Sequence, residues 1–341
     1  MNAAIGPFSR LGQAEPAVAP WRTPTAAPRI GVVVDSACDL PREFIHDENI
    51  VVMPITVRIG GNAHDDMRDP AETMAFYLSH LDRKSDEFAE SIPYTAERIE
   101  SLFLDHLVLD FDYVFCLTIT SARSPIYYNA QQAAQKILLK AKARRVEAGL
   151  NSRFGLYVLS TQNLFAGQAI PAAEAIRLIK AGDSPSEIGE RLRNLVEDVH
   201  AYLVPADLYH IYKRASKKGE RSINFGSYAF GQMLDVKPIL HCHRDETAPV
   251  AKLRGFDAAV AQMFANVTRQ IRLGLSAPIV AISYGGEPTQ VAKLPGYGEL
   301  KTVARDYGVR ILVSMMSTTG AVNVGPGAVS VAFAAERHHF E

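Results

Sequence analysis

The chain has 341 residues, 48% hydrophobic and 21% charged, with 36 basic against 37 acidic residues and a formal net charge of −1. That length exceeds what one hydrophobic core usually serves, so two domains are expected, and the balanced charge, with no Lys/Arg stripe, argues against nucleic acid as a partner. Three scattered cysteines, Cys38, Cys116 and Cys242, argue against a disulfide framework and for a reducing, cytoplasmic compartment, and no run approaches the ~18 apolar residues of a transmembrane helix.

Residues 1–28 carry five prolines and lack the apolar stretch of a secretory signal, so they are expected to be a flexible extension. Ile30–Val34 is a short apolar run ending at Asp35-Ser36 and reads as a buried strand and turn. Ile50–Val57 reads as a second strand. Asp69-Pro70-Ala71-Glu72 is a helix start, with Asp as N-cap and Pro at the first helical position. Tyr113–Thr120 is a third strand. The alanines and isoleucine from Ala130 to Ala141 recur at helical spacing and predict a helix over about 127–148. Leu156–Leu159 is a fourth strand, followed by a helix from about Phe165 to Ala181. Ser184-Pro185-Ser186-Glu187 is a capping box that opens a helix to about Val199. Strands alternating with helices to this point predict a parallel sheet covered on both faces.

The second half reads differently. Lys237–His243 and Pro249–Leu253 flank Arg244-Asp245-Glu246-Thr247 as a hairpin. Val260, Met263, Phe264, Val267 and Ile271 mark a helix. Pro278–Ser283, Arg310–Val313 and Ala328–Phe333 are further strands, with a helix near Leu300–Tyr307. The expected fold is α/β in two lobes: an N-terminal parallel sheet with helices on both faces (29–185), then a mixed sheet with helices (186–335), and a loose tail (336–341).

No phosphate loop, G-x-S-x-G elbow or H-E-x-x-H motif is present. His241 and His243 would share a strand face, but zinc normally takes at least three protein ligands. No metal site is therefore expected, and the pair reads as half-exposed histidines by a hairpin. Polar loops end several strands: Asp35-Ser36, Thr120–Pro125 and Ser160–Asn163, with Ser91-Ile92-Pro93 before a helix. Each by itself is a turn or cap. Together they lie at the carboxyl ends of a parallel sheet, where open α/β folds bind ligands. Gly325-Pro326-Gly327 is either a tight turn or a close backbone approach to a ligand.

The order of motifs resembles the DegV family, bacterial proteins that bind a long-chain fatty acid, over about Arg29 to Ala334. The resemblance is carried by Val34-Asp35-Ser36, Asp39-Leu40-Pro41, Val52-Met53-Pro54, Ser91-Ile92-Pro93, Thr120–Ala130, Gly219-Glu220-Arg221-Ser222-Ile223, Met233 through Leu240, Lys252-Leu253-Arg254-Gly255 and Gly325-Pro326-Gly327-Ala328. It implies a binding protein rather than an enzyme. An apolar tunnel in the first lobe holds the acyl chain, and the carboxylate sits between the lobes. A separate fatty acid kinase subunit is the implied partner, no cofactor is required, and a monomer or weak dimer is expected. Ser124 falls on the family's head-group serine and Ser91 on its second head-group loop. Arg254 falls on an arginine near the head group in some members, and Arg221 on the segment that meets the kinase. The chain departs from the family at Glu90, at Pro125-Ile126 and at Asn323, which stands for a histidine before the Gly325/Gly327 turn. Arg123 is the residue expected to offset Glu90. The alternatives are a hydrolase or transferase using Ser124 as nucleophile, with His106 or His210 as base, and a regulatory module without a lipid.

Overall fold

The computed structural model describes residues 27–59, 61–79, 89–212 and 234–341. Strand β1 (Ile30–Asp35) leads to helix α1 (Arg42–Asp47), then to β2 (Val51–Met53), β3 (Ile55–Ile59), β4 (Asn62–Asp66) and helix α2 (Pro70–Ser79). Strand β5 (Glu90–Pro93) precedes helix α3 (Ala96–Leu102), which runs on through a wide turn at Phe103–Leu107. Strand β6 (Tyr113–Thr118), helix α4 (Ile126–Glu147), strand β7 (Gly155–Ser160), helix α5 (Ala166–Ala181) and helix α6 (Pro185–Val196) follow. The remainder is β8 (Val199–Val204), β9 (Val236–His243), β10 (Glu246–Arg254), α7 (Phe256–Leu273), β11 (Ile279–Tyr284), α8 (Tyr297–Asp306), β12 (Arg310–Met315), α9 (Thr318–Val324) and β13 (Val329–Ala334).

Three sheets form. The first is parallel, in the order β2-β1-β6-β7; the second is mixed, in the order β10-β9-β8-β13-β11-β12; a third, three-stranded and antiparallel, runs β4-β3-β5. Side chains alternate across the first sheet as the strand period requires. Val33, Val114 and Cys116 face α3 and α4, while Val32, Val34, Phe115 and Leu117 face α5 and α6. The second sheet splits likewise. Ala201, Ala281 and Ala332 face α5, and Tyr202, Val280 and Phe333 face α7 and α8.

Helix α5 is therefore packed between two sheets. Its sequence AGQAIPAAEAIRLIKA is rich in alanine and carries Pro171 mid-helix. Small side chains all round let both sheets approach, and twelve of its sixteen residues are buried. Its one buried carboxylate, Glu174, is held at its edge by Arg177 Nε at 2.7 Å and Arg191 Nε at 3.3 Å.

Four expectations need correction. Residues 50–57 are not one strand: Pro54 has no N–H to donate, and the chain switches there from the first sheet to the third. The capping-box helix ends at Val196, and Val199–Val204 is a strand at the centre of the mixed sheet. All six of its residues are buried, and a strand buried on both faces shows no alternation to read. Ser91 lies in a strand rather than a loop. The tail is not loose: His338 Nδ1 donates to Gln270 Oε1 at 2.8 Å and Arg269 Nη1 pairs with Glu341 at 2.6 Å. The hairpin expected around Arg244 is present. Arg244 and Asp245 both have positive φ (48° and 67°), as a two-residue turn matching the strand twist demands.

Candidate functional site

The carboxyl ends of β1, β6 and β7 converge, and most of their polar groups serve to hold one another. Asp35 is fully buried and accepts from Ile119 N at 2.7 Å and Ala37 N at 3.0 Å. Ser36 Oγ donates to Asp66 O and accepts from Ile55 N, both at 2.7 Å, which fastens the three-stranded sheet to the parallel one. Ser121 N donates to Ser160 Oγ at 3.2 Å, and Asn163 Nδ2 to Val199 O and Cys242 O at 3.1 Å. Thr120 Oγ1 donates to Asp245 at the hairpin tip, so the mixed sheet closes on the loop after β6.

Burial pushes the Asp35 carboxyl up to about 6, against the pull of the Ile119 N–H, the Gln168 side chain and the Ala37 N–H. The folded value lies above the unfolded one near 3.9, so the folded state takes up a proton first as pH falls. Asp35 therefore costs stability at pH 7 that is regained between pH 6 and pH 4, on the order of 3 kcal/mol. An Asp35→Asn variant should lose that slope when urea midpoints are compared at pH 7 and pH 5. An unchanged slope would assign it to another group.

Ser91 lies in β5 and Ser124 in the turn before α4. Ser91 pairs with Val57 in register, so both side chains share a face of the sheet. Val57 packs there against Ala321 and Val322 of α9. The Ser91 hydroxyl has no hydrogen-bond partner among the described residues. Ser124 Oγ accepts from Ile126 N at 3.3 Å at the start of α4. Asn129 Nδ2, one turn into α4, donates to Tyr94 O at 2.8 Å and ties the two serine segments together. Glu90, a departure from the family pattern, sits on the opposite face from Ser91, paired with Arg58 at 2.8 Å. Its charge is thus turned away from Ser91 and met by Arg58, not by Arg123. Arg123 is exposed on the turn before Ser124, close enough to Cys242 to act on its thiol.

Asn323 lies on α9. Its Nδ2 donates to Thr319 O at 2.6 Å, which fixes the amide's orientation, and its buried Oδ1 has no partner. Gly325 (φ 87°) and Gly327 (φ 76°) turn the chain from α9 into β13, and Gly327 N donates to Gly285 O at 2.7 Å. His210 is buried against Gly325 rather than standing on a helix surface, and His106 is exposed. Arg254 is exposed at the end of nine-residue β10 away from the hairpin tip that meets Thr120, on the order of 25 Å along the strand. Arg221 lies outside the described residues. A groove of about 510 Å³ between α1 and Met67–Asp69 contains none of the serines.

The sequence reading missed a buried ionic junction beside this site. Asp39, after β1, receives Arg68 Nη1 at 2.9 Å, Ser283 Oγ at 2.5 Å and Ser317 N at 2.9 Å. Arg68 Nη2 donates to Met315 O at 3.0 Å and Leu40 O at 3.2 Å. Asp66 receives Thr319 N and Oγ1, both at 2.8 Å. Tyr77 donates to Met316 O at 2.9 Å. Elements more than 200 residues apart are joined here with little exposure to water. The only sequence signal was the Asp39-Leu40-Pro41 turn.

Among the described residues no group of three or more His, Cys, Asp or Glu is arranged to hold a metal ion, and no helix is long and apolar enough to cross a membrane.

The model of the DegV family, described as uncharacterised proteins, matches residues 29–336. A DegV domain-containing protein of Xanthomonas axonopodis pv. citri is 48% identical over 312 residues, 92% of this chain and 99% of the relative. A protein of Thermotoga maritima named fatty acid-binding protein is 24% identical over 311 residues, 88% of this chain and 96% of the relative. Among solved structures, DegV from Bacillus subtilis, described as a fatty acid binding protein, superposes with a TM-score of 0.69 at 20% identity, covering 91% of this chain and all of the other. A stearic acid-binding protein from Eubacterium ventriosum gives 0.67 at 19% identity, covering 89% and 98%. With a parallel sheet, a separate mixed sheet and helices around both, matched by sequence along nearly its whole described length, the chain belongs to the DegV family.

Proposed function

We propose that this protein binds a long-chain fatty acid, its head group held where Ser91 on β5, Ser124 before α4 and Asn323 on α9 face the junction of the two lobes, 29–185 and 186–335. The observation that carries the reading is the pair of unused polar atoms on one covered sheet face: the Ser91 hydroxyl and, on the helix covering that face, Asn323 Oδ1. The positive-φ residues Gly325 and Gly327 leave two backbone positions near Asn323 without a side chain. Relatives named for fatty acid binding support the ligand class. Presentation of the bound acid to a separate kinase is the second half of the proposal, and Arg221 would serve there.

The energetics divide cleanly. Each buried methylene is worth ~0.8 kcal/mol, so the acyl chain supplies most of the affinity and the polar atoms fix orientation. Shortening the ligand from sixteen to twelve carbons should weaken binding by on the order of 200-fold. Ser91→Ala should weaken it about 10-fold, the value of one hydrogen bond.

Native mass spectrometry of protein purified from cells is expected to show a co-purified acyl ligand. Stripped protein should regain ~3–4 kcal/mol of stability when palmitate is added at 100 to 1,000 times its dissociation constant. A ligand-free mass together with an unmoved melting transition across C14–C18 acids would end the assignment.

A further inference from the structure

A cluster of titratable side chains outside the proposed site lies on the α7 face of the mixed sheet. His200 on β8 and His243 on β9 stack with ring centroids 4.1 Å apart and 8° between planes. His200 and His241 lie 5.2 Å apart at 7°, and Tyr202 stacks on His241 at 4.6 Å. Residues 335–341 cross this face. The His338 ring stands edge-on to His200 at 4.8 Å, and Phe340 packs on Tyr202 at 5.2 Å.

The hydrogen bonds assign the protons. His200 Nε2–H donates to Ala335 O at 3.2 Å, so its Nδ1 is left facing His241 Nε2 at 3.0 Å, and that contact has room for one proton. His243 Nδ1–H donates to Val199 O at 2.9 Å. His338 Nδ1–H donates to Gln270 Oε1 at 2.8 Å, while its Nε2 accepts from the Tyr202 hydroxyl at 2.6 Å, with Asn266 Nδ2 at 3.3 Å. The contacts of His200, His241 and His338 suit neutral imidazoles. Second protons on both His200 and His241 set two N–H donors head to head, and one on His338 forces the Tyr202 hydroxyl to turn from donor to acceptor and sets N–H against the Asn266 amide donor. The charged groups turned toward the cluster do not compensate: Arg269 on α7 opposes protonation of His338, and Glu341 is held by Arg269 at 2.6 Å. His339 is exposed and adds a further like charge when protonated.

We propose that residues 335–341 are a proton-released strap: acidification charges the imidazole stack, detaches the tail and uncovers the ring-lined face of β8 and β9. The direction follows from linkage. Burial, then the neighbouring imidazoles, push His200 down to about 2 and His241 and His338 to about 4. An undocked imidazole titrates near 6.5, so docking is complete above that pH and weakens below it. Each imidazole that gains a proton on release weakens docking about tenfold per pH unit; His200, still beneath the other rings, stays neutral, and His241 and His338 together give about a hundredfold.

Hydrogen exchange of the full chain, corrected for the intrinsic pH dependence, reads this directly. Between pH 6.5 and pH 5 the protection of the Ala335 amide, whose N–H donates to Asp198 O at 2.8 Å, is expected to fall about a hundredfold per pH unit while β11 and β12 stay protected. In a His241→Gln variant the slope should drop to about tenfold per unit. The proposal is overturned by tail protection that holds to pH 5, by a slope unchanged in the variant, or by tail and β11 opening together. A variant tail detached at pH 7.5 and pH 9 alike counts against it equally, because a neutral amide in place of His241 should hold the strap.

Discussion

Replacing Arg68 by Ala is expected to lower the stability of the folded chain by about 3–5 kcal/mol, measured as the shift of the urea midpoint at an unchanged slope. The Arg68 side chain is 8% exposed and that of Asp39 not at all. Desolvation pushes the Asp39 carboxyl up, and the Arg68 guanidinium with the Ser283 hydroxyl and Ser317 N–H pulls against it. Removing the cation therefore leaves a buried carboxylate with two neutral donors and orphans the carbonyls of Leu40 and Met315. The comparison that isolates the effect is Arg42→Ala. Its ion pair with Asp69 has a similar distance, 3.0 Å, but its side chains are 58% and 35% exposed, so water screens it and the cost should stay below about 1 kcal/mol. Equal losses in the two variants would mean that the junction is hydrated in solution. A change in the slope itself would mean that the lobes unfold separately once Arg68 is gone, which is the same junction failing in another way.

Gly325→Ala is expected to cost about 2–4 kcal/mol, from two separate causes. Gly325 ends α9 at φ 87° and ψ 164°, a conformation that residues with a Cβ rarely adopt. An added Cβ would also strike the His210 ring, lying 2.9 Å from Cε1 and nearer still to Nδ1. His210 is 5% exposed and has little room to move away. Gly298→Ala is the matched control: an ordinary helical position with nothing within 4 Å of the new Cβ, where a neutral or slightly stabilising change is expected. Because α9 carries Asn323, G325A should also weaken the proposed fatty acid binding beyond what its stability loss explains. Measuring affinity at a temperature where both proteins are fully folded separates the two. If G325A melts with the parent, the turn has an alternative conformation and the glycine is not required by the backbone.

The parallel sheet was legible because its signals are local. The apolar runs at Ile30, Tyr113 and Leu156, the Asp69-Pro70 helix start and the Ser184 capping box are each set by a few neighbouring residues, and the structure places all of them as elements. The hairpin at Arg244-Asp245 was legible for the same reason. The third sheet was not. Its strands β3, β4 and β5 are five, five and four residues long, and β4 (Asn62-Ala63-His64-Asp65-Asp66) has no apolar pattern at all. It forms because β3 supplies a partner and because Thr56 and Tyr94 hold Asp65, at 2.5 Å each. Arg98 adds a third contact to Asp65 at 2.9 Å. The site was half legible. Ser91 and Ser124 were found by family resemblance, whereas the pairing of Glu90 with Arg58 depends on strand register, and the burial of Asp39 depends on residues near 283 and 317 arriving beside it.

By itself, then, the sequence determined the family, the order of most strands and helices, and the serines worth testing, since periodicity, caps and turns are properties of short segments. Tertiary structure alone decided that one alanine-rich helix would be enclosed by two sheets, which polar groups of the rim would be consumed in holding loops together, and that three histidines of β8 and β9 would stack under a tail that brings His338 edge-on to them. Those outcomes depend on which surfaces meet, and burial, charge pairing and proton affinity are set by neighbours that no local stretch of sequence contains.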